Sequence, residues 1–259
     1  TTVPLAVMTA SGTVVVLGLG HFVFGAGALG VLLSRQADLT RRIPLLLRGR
    51  AMSLMGGTMR FSVLLGTIVG GTLVDVAGAR WTFAAAGLGA AIGIPAVLPG
   101  ALKPEREVAP IGTGGPDLLE VVRTNRRRLL HAGLFGMAAM TTREGRMVLL
   151  PLVGVALDLR PSTIGILVAA GYSADLILFP LSGYIMDRLG RLAAIVPAYA
   201  LLALGLLSLL VVDSATGVLF SGLVMGLGNG LSAGSLFTLS SDLAPEEGTA
   251  SFLSAVALL

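Results

Sequence analysis

Apolar residues gather along this chain in long runs separated by short polar breaks. A helix rises about 1.5 Å per residue, so a run of about 20 apolar residues crosses a hydrocarbon layer of about 30 Å. The pattern predicts complete spans at 13–33, 51–74, 81–100, 129–157, 162–186, 192–212 and 216–240, with partial spans at both ends. The breaks are Arg41-Arg42-Ile43-Pro44, Asp75 to Arg80, Lys103 to Arg128, Asp158-Leu159-Arg160-Pro161, Asp187 to Arg191, Asp213-Ser214 and Asp242 to Gly248. They combine charge, glycine and proline, which end helices. Only Lys103 to Arg128 is long enough to be a linker. The expected fold class is an all-α integral membrane protein with about seven complete transmembrane helices. Residues 1–102 and 129–259 would form two parts of a helical bundle, joined by a cytoplasmic linker at 103–128.

Composition and charge sharpen this picture. Of the 259 residues 54% are hydrophobic and only 12% charged, against about 25% charged in soluble domains, and the mean hydropathy is +0.90. Lipid is therefore the expected solvent and partner. Lys and Arg concentrate in alternate breaks. One side holds Arg41, Arg42, Arg48, Arg50, Lys103, Arg106, Arg123, Arg126, Arg127, Arg128, Arg188 and Arg191, and the other only Arg80 and Arg160. Because basic loops stay in the cytoplasm, the loops with Arg48, Arg126 and Arg188 are expected there, in a multi-pass protein of the plasma membrane. The net charge of +4 thus reflects orientation, and no nucleic-acid partner is expected. With no cysteine, and with His21 and His131 far apart, neither disulfides nor a metal site is indicated, and no cofactor is expected. The chain opens with Thr1 inside an apolar run, with no initiator Met or basic leader. It reads as part of a longer protein, cut at both ends. Residues 1–259 alone are expected not to transport, since partial spans leave helix faces unpaired.

An internal repeat follows from subtraction. Gly25-Ala26-Gly27 and Pro44 stand 201 positions before Gly226-Leu227-Gly228 and Pro245, and Gly49 and Ala51 stand 199 before Gly248 and Ala250. Two halves share one pattern, a parallel repeat of the kind that transporters use. The most specific string is Gly183-Tyr184-Ile185-Met186-Asp187-Arg188-Leu189-Gly190-Arg191, between two spans on the cytoplasmic side. Its glycines permit a tight reversal, and Asp187, Arg188 and Arg191 place charge near helix ends.

This string, G-x-x-x-D-R-x-G-R, resembles the cytoplasmic loop signature of the major facilitator superfamily (MFS). Ser62-xxx-Gly66-Thr67-xx-Gly70-Gly71 is similar to the glycine-proline motif of that family's drug/proton antiporters, with Ser62 in place of a glycine and Thr67 in place of the proline. The basic linker is similar to the family's connection between six-helix halves. The resemblance covers the chain from the end of the third family helix to the start of the eleventh. It implies a bundle of two pseudo-symmetric halves, a secondary active transporter working by alternating access, and a small-molecule substrate with protons as the drive. Efflux of hydrophobic or amphipathic compounds is the first expectation, and uptake or exchange of an organic anion is the alternative. Helix packing or gating is expected of Gly66, Gly70, Gly71, Gly226 and Gly230.

Charge inside the spans marks candidate chemistry, since an Arg or Asp at mid-bilayer costs roughly 2.5–3.5 kcal/mol on insertion scales. Arg143, Glu144 and Arg146 lie roughly 20 Å into their span, Asp175 at a similar depth in the next, and Arg60 about 14 Å into its own, at 1.5 Å per residue. All five are expected to face a central cavity and serve substrate or proton coupling. Asp175 could pair with Arg143 or Arg146 simply to fix packing. Alternatively Asp175 or Glu144 carries a moving proton, with the arginines holding an anionic group or tuning that carboxylate. Asn229 and Tyr172 either line the cavity or bond across helices. An Arg-xx-Arg pair before a leucine-proline step resembles a pattern in bacterial members of the family.

Two further motif matches are decoys. Gly25 to Gly30 fits G-x-G-x-x-G, and Gly230-Leu231-Ser232-Ala233-Gly234 fits a serine elbow, yet both sit inside apolar spans without the strand each requires. Enzyme function is therefore not expected. A serine hydrolase using Ser232 with His131 or His21, and a receptor without transport, are the readings of another class. Pro95, Pro151 and Pro180 lie within spans and are candidate hinges.

Overall fold

A computed structural model describes residues 13–42, 45–101 and 123–233. The partial end spans, Pro44, most of the linker, and the stretch from Gly234 onward with Asp242 to Gly248 lie outside the described residues. So does the side chain of Asp187.

The described residues form seven α-helices: α1 (Val14–Arg42), α2 (Leu45–Ala77), α3 (Ala79–Ala101), α4 (Arg126–Ala156), α5 (Pro161–Leu189), α6 (Arg191–Ser208) and α7 (Ala215–Leu231). A 3-10 turn, Leu209–Val211, extends α6. Six predicted spans each correspond to one helix, and the seventh, 216–240, corresponds to α7 as far as Leu231, its residues from 234 on lying outside the described residues; no strand occurs among the described residues. Three stretches, Leu54–Ala77, Pro161–Met186 and Arg191–Val211, are long and apolar enough to cross a membrane on length and composition.

The reversals between helices have local causes. Gly78 joins α2 to α3 at φ +87, a conformation side chains disfavour, and its N–H closes onto the carbonyls of Leu73 and Val74. Gly190, in the Gly183 to Arg191 string, has the same φ of +87 and separates α5 from α6. At the end of α4 the N–H groups of Asp158 and Leu159 return to the carbonyls of Val155 and Gly154, with Asp158 at φ 52. That is a Schellman closure with aspartate where glycine is commoner. Ser214 caps α7, its Oγ accepting from the Gly217 N–H at 3.3 Å.

Packing divides the chain into two compact units, Thr1–Arg106 with Arg160–Ile166, and Glu107–Leu159 with Leu167–Leu259. In the first, α1 packs on α2 and α2 on α3. Within the same unit the Asp75 carboxylate accepts the Ser162 N–H at 3.0 Å. It satisfies one of the N–H groups that a helix start leaves open and places negative charge at the positive end of α5. In the second, α6 packs along α7, and α4 packs on both. Leu150, Leu167, Leu202, Leu209, Val218 and Met225 make its buried core. Outward faces carry large exposed apolar side chains, among them Leu134, Leu152, Val155, Ile177, Leu204 and Phe220. A surface this apolar fits a lipid surround rather than water.

Candidate functional site

The second unit gathers polar groups from three helices at one buried level. On α4, Arg143 and Arg146 are three residues apart; on α5, Tyr172 and Asp175 are three apart; on α7 and its C-cap, Met225, Asn229 and Ser232 follow at four and three. These spacings stack side chains on one helix face, so the register that brings one pair together brings the others.

Asp175 is fully buried. Its Oδ2 accepts from Asn229 Nδ2 at 2.5 Å and stands 3.9 Å from an Arg146 guanidinium nitrogen. Arg146, itself 7% exposed, donates to the Met225 carbonyl at 3.5 Å, and its guanidinium carbon lies 4.5 Å from the centre of the Tyr172 ring. It is held by a carboxylate at long range, a carbonyl and a π face together. Arg143 donates to Ser232 Oγ at 3.3 Å, and Ser232 donates to the Asn229 carbonyl at 2.9 Å. The cluster therefore holds two guanidiniums, one carboxylate, one amide and a buried hydroxyl.

Close approach of α5 and α7 makes this possible. A Cβ on Gly226 would collide with the Gly171 carbonyl oxygen, and one on Gly230 would come within 2.7 Å of the Asp175 carbonyl oxygen. Glycine at these positions brings the backbones together, and the short Asn229 side chain then reaches Asp175. A narrow crevice of about 10 Å3, the room of one water, opens beside the cluster, lined by Arg146 and Tyr172 with Met147, Leu150 and Val168.

The structure thus joins Arg143, Arg146 and Asp175 and leaves Glu144 on the exposed side of α4. Arg60 lies in the first unit, half-buried on α2, with a bond to the Gly56 carbonyl at 3.4 Å. Gly226 and Gly230 lie in the close seam just described. In the first unit a Cβ on Gly71 would come within 2.5 Å of the Pro161 carbonyl oxygen, one on Gly70 would touch Thr82, and one on Gly66 would meet nothing within 4 Å. Gly183 and Gly190 likewise have open space beside them, and Arg188 lies over the Tyr184 ring at 5.3 Å, one turn away. Arg191 begins α6 and is exposed.

Sequence reasoning did not foresee the part of Ser232, which it weighed only as a decoy motif and as the nucleophile of an alternative hydrolase, or of the Met225 carbonyl. A buried serine one helical turn from Asn229 was the available signal; a backbone acceptor leaves none. Ser232 has Arg143 and Asn229 as its bonded partners, while His131 and His21 are exposed. The G-x-G-x-x-G string lies wholly within α1.

Comparison with known proteins adds one finding: a family model described as Major Facilitator Superfamily matches residues 1–259. No curated protein and no solved structure matches the chain.

Proposed function

This chain belongs to the Major Facilitator Superfamily, a family of transmembrane transporters of small solutes, and from that premise we propose a proton-coupled exporter of amphipathic compounds with Asp175 as its coupling carboxylate. The buried Asp175–Asn229–Arg146 arrangement carries this reading. A coupling carboxylate must exist in two charge states without the site collapsing. Asn229 suits both, because an amide donates to a carboxylate and, once flipped, accepts from a protonated acid. Arg146 keeps the Met225 carbonyl and the Tyr172 ring when Asp175 is neutral, so its guanidinium retains an acceptor and a π face in both states. Glu144, on an exposed face, has no such setting.

In this reading residues 1–102 and 129–259 are the two rocking halves, joined by the linker 103–128, and the site operates by alternating access. Arg60 and Arg143 adjust the charge presented to the solute. The loop string Gly183, Asp187, Arg188, Gly190 and Arg191 acts at the cytoplasmic end. The protein sits in the plasma membrane with the loops of Arg48, Arg126 and Arg188 inside, and it works as an antiporter.

The test uses inside-out vesicles from cells making the complete native polypeptide, with an acid lumen. Three radiolabelled probes share one ring system: 2-naphthalenesulfonate, 2-naphthalenesulfonamide and (2-naphthylmethyl)trimethylammonium. The unaltered protein concentrates at least one of them. Asp175→Asn is expected to abolish concentration while still exchanging labelled for unlabelled solute at equal pH. Undiminished concentration by Asp175→Asn would remove Asp175 from the coupling step.

A further inference from the structure

We infer that the arginines at the start of α4 form a docking surface for anionic phospholipid headgroups, with Arg126 and Arg127 against the phosphates and Leu130 and Leu134 against the acyl chains beneath them. The inference goes beyond the transport reading and does not depend on the solute, its direction or its coupling.

Three observations lead to it. The first is the concentration of charge. Arg123, Arg126, Arg127 and Arg128 are all exposed, and exposed His131 follows one turn after Arg127. The sequence holds no acidic residue between Glu120 and Glu144, and the first turn of α4 contains none. Like charges one turn apart repel, and arginines at the positive end of a helix oppose its dipole. Helix stability therefore does not account for them, whereas an anionic surface offsets both costs.

The second is register. Leu130, Leu134 and Met137 are exposed, and their spacing of four and three keeps them on one helix face. Arg126 and Arg127 precede Leu130 by four and three, so they continue that face one turn, about 5.4 Å, further out. In a membrane protein an exposed apolar face of this kind fits the acyl chains, and the turn beyond it fits the headgroup layer. Arginine stems lie along apolar surface while the guanidiniums reach the polar layer, and Arg123 adds a further charge one turn before Arg126 and Arg127.

The third is the openness of the patch. Exposed arginines enclose nothing, so a free phosphate in water is held only weakly. A phospholipid is already fixed at this level by its own chains, and each arginine near such a surface favours the anionic lipid about fivefold. The occupant that fits is a lipid rather than a soluble anion.

The experiment places a tryptophan reporter, Leu130→Trp, in the complete native polypeptide and reconstitutes it in bilayers. Brominated phosphatidylglycerol and brominated phosphatidylcholine are used as quenchers in separate series. The difference between proteins with and without the reporter gives the preference for the anionic lipid beside Arg126 and Arg127. A preference of about fivefold or more is expected, shrinking as added salt shortens the Debye length from about 10 Å to about 3 Å. Arg126→Gln with Arg127→Gln should bring the ratio to about one, and Arg126→Lys with Arg127→Lys should retain most of the preference, since the attraction is to charge near the surface. Arg80→Gln with Arg160→Gln removes the same charge elsewhere and should leave the preference unchanged. Equal quenching by the two lipids, a preference that survives the Arg126 and Arg127 glutamine pair, or equal loss in both glutamine pairs would overturn the inference. Displacement of the lipid by excess glycerol 3-phosphate would also overturn it, making the patch a site for a soluble phosphate. Binding is read without transport, so each of these outcomes leaves the proposed function standing, and failure of the proposed function leaves the lipid preference to be measured.

Discussion

Gly226 and Gly66 show how differently one residue type serves in this chain. A Cβ on Gly226 collides with the Gly171 carbonyl oxygen and comes within 3.1 Å of Ala174 Cβ, whereas one on Gly66 meets nothing within 4 Å. Gly226→Ala is expected to cost about 1–3 kcal/mol as an overpacking change, and Gly66→Ala to be neutral or stabilising by up to about 1 kcal/mol as a gain in helix propensity. Thermal unfolding midpoints of the two variants in one detergent check this: Gly226→Ala falls and Gly66→Ala does not. Sequence alone grouped both as packing or gating glycines, because spacing shows that a residue is small and not what stands beside it. Charge was more legible. Asp175, Arg143 and Arg146 drew attention as costly residues in apolar spans, and the structure brings them together. The bond from Asn229 to Asp175 was not legible, since it joins positions 54 apart and depends on the register of α5 against α7.

At the scale of elements, apolar runs located all seven helices but not all of their ends. The expected spans 13–33 and 51–74 correspond to Val14–Arg42 and Leu45–Ala77. Hydropathy measures the length that lies in lipid, and a helix keeps its backbone bonds past that limit into the polar interface. The end of α4 was easier to read: Ala156 closes it where Asp158-Leu159-Arg160-Pro161 interrupts the run. The start of α7 depends on Ser214, whose Oγ receives the Gly217 N–H. Ser214→Ala is expected to destabilise the protein by about 1 kcal/mol. Ser214→Asp, which keeps an acceptor at the positive end of the helix, should restore the midpoint. An unchanged midpoint in Ser214→Ala would show that the cap contributes nothing there.

For the whole molecule, family membership makes this a membrane protein, and the uneven distribution of Lys and Arg is the ground for the orientation proposed above. The absence of cysteine from the sequence makes sidedness directly measurable. Arg188→Cys is expected to react with a membrane-impermeant maleimide only from the cytoplasmic side, and Arg160→Cys only from outside. Labelling with the opposite sidedness would invert the orientation, and the cytoplasmic role of the Gly183 to Arg191 loop would go with it.

The central claim is that solute movement and proton movement meet at Asp175. The most direct measurement follows the protons: inside-out vesicles with an acid lumen, a pH-sensitive dye to report the gradient, and addition of each naphthalene probe in turn. The account predicts that a transported probe makes the unaltered protein release protons from the lumen, and that Asp175→Asn exchanges the same probe with no proton release. Equal proton release from Asp175→Asn and the unaltered protein would contradict it.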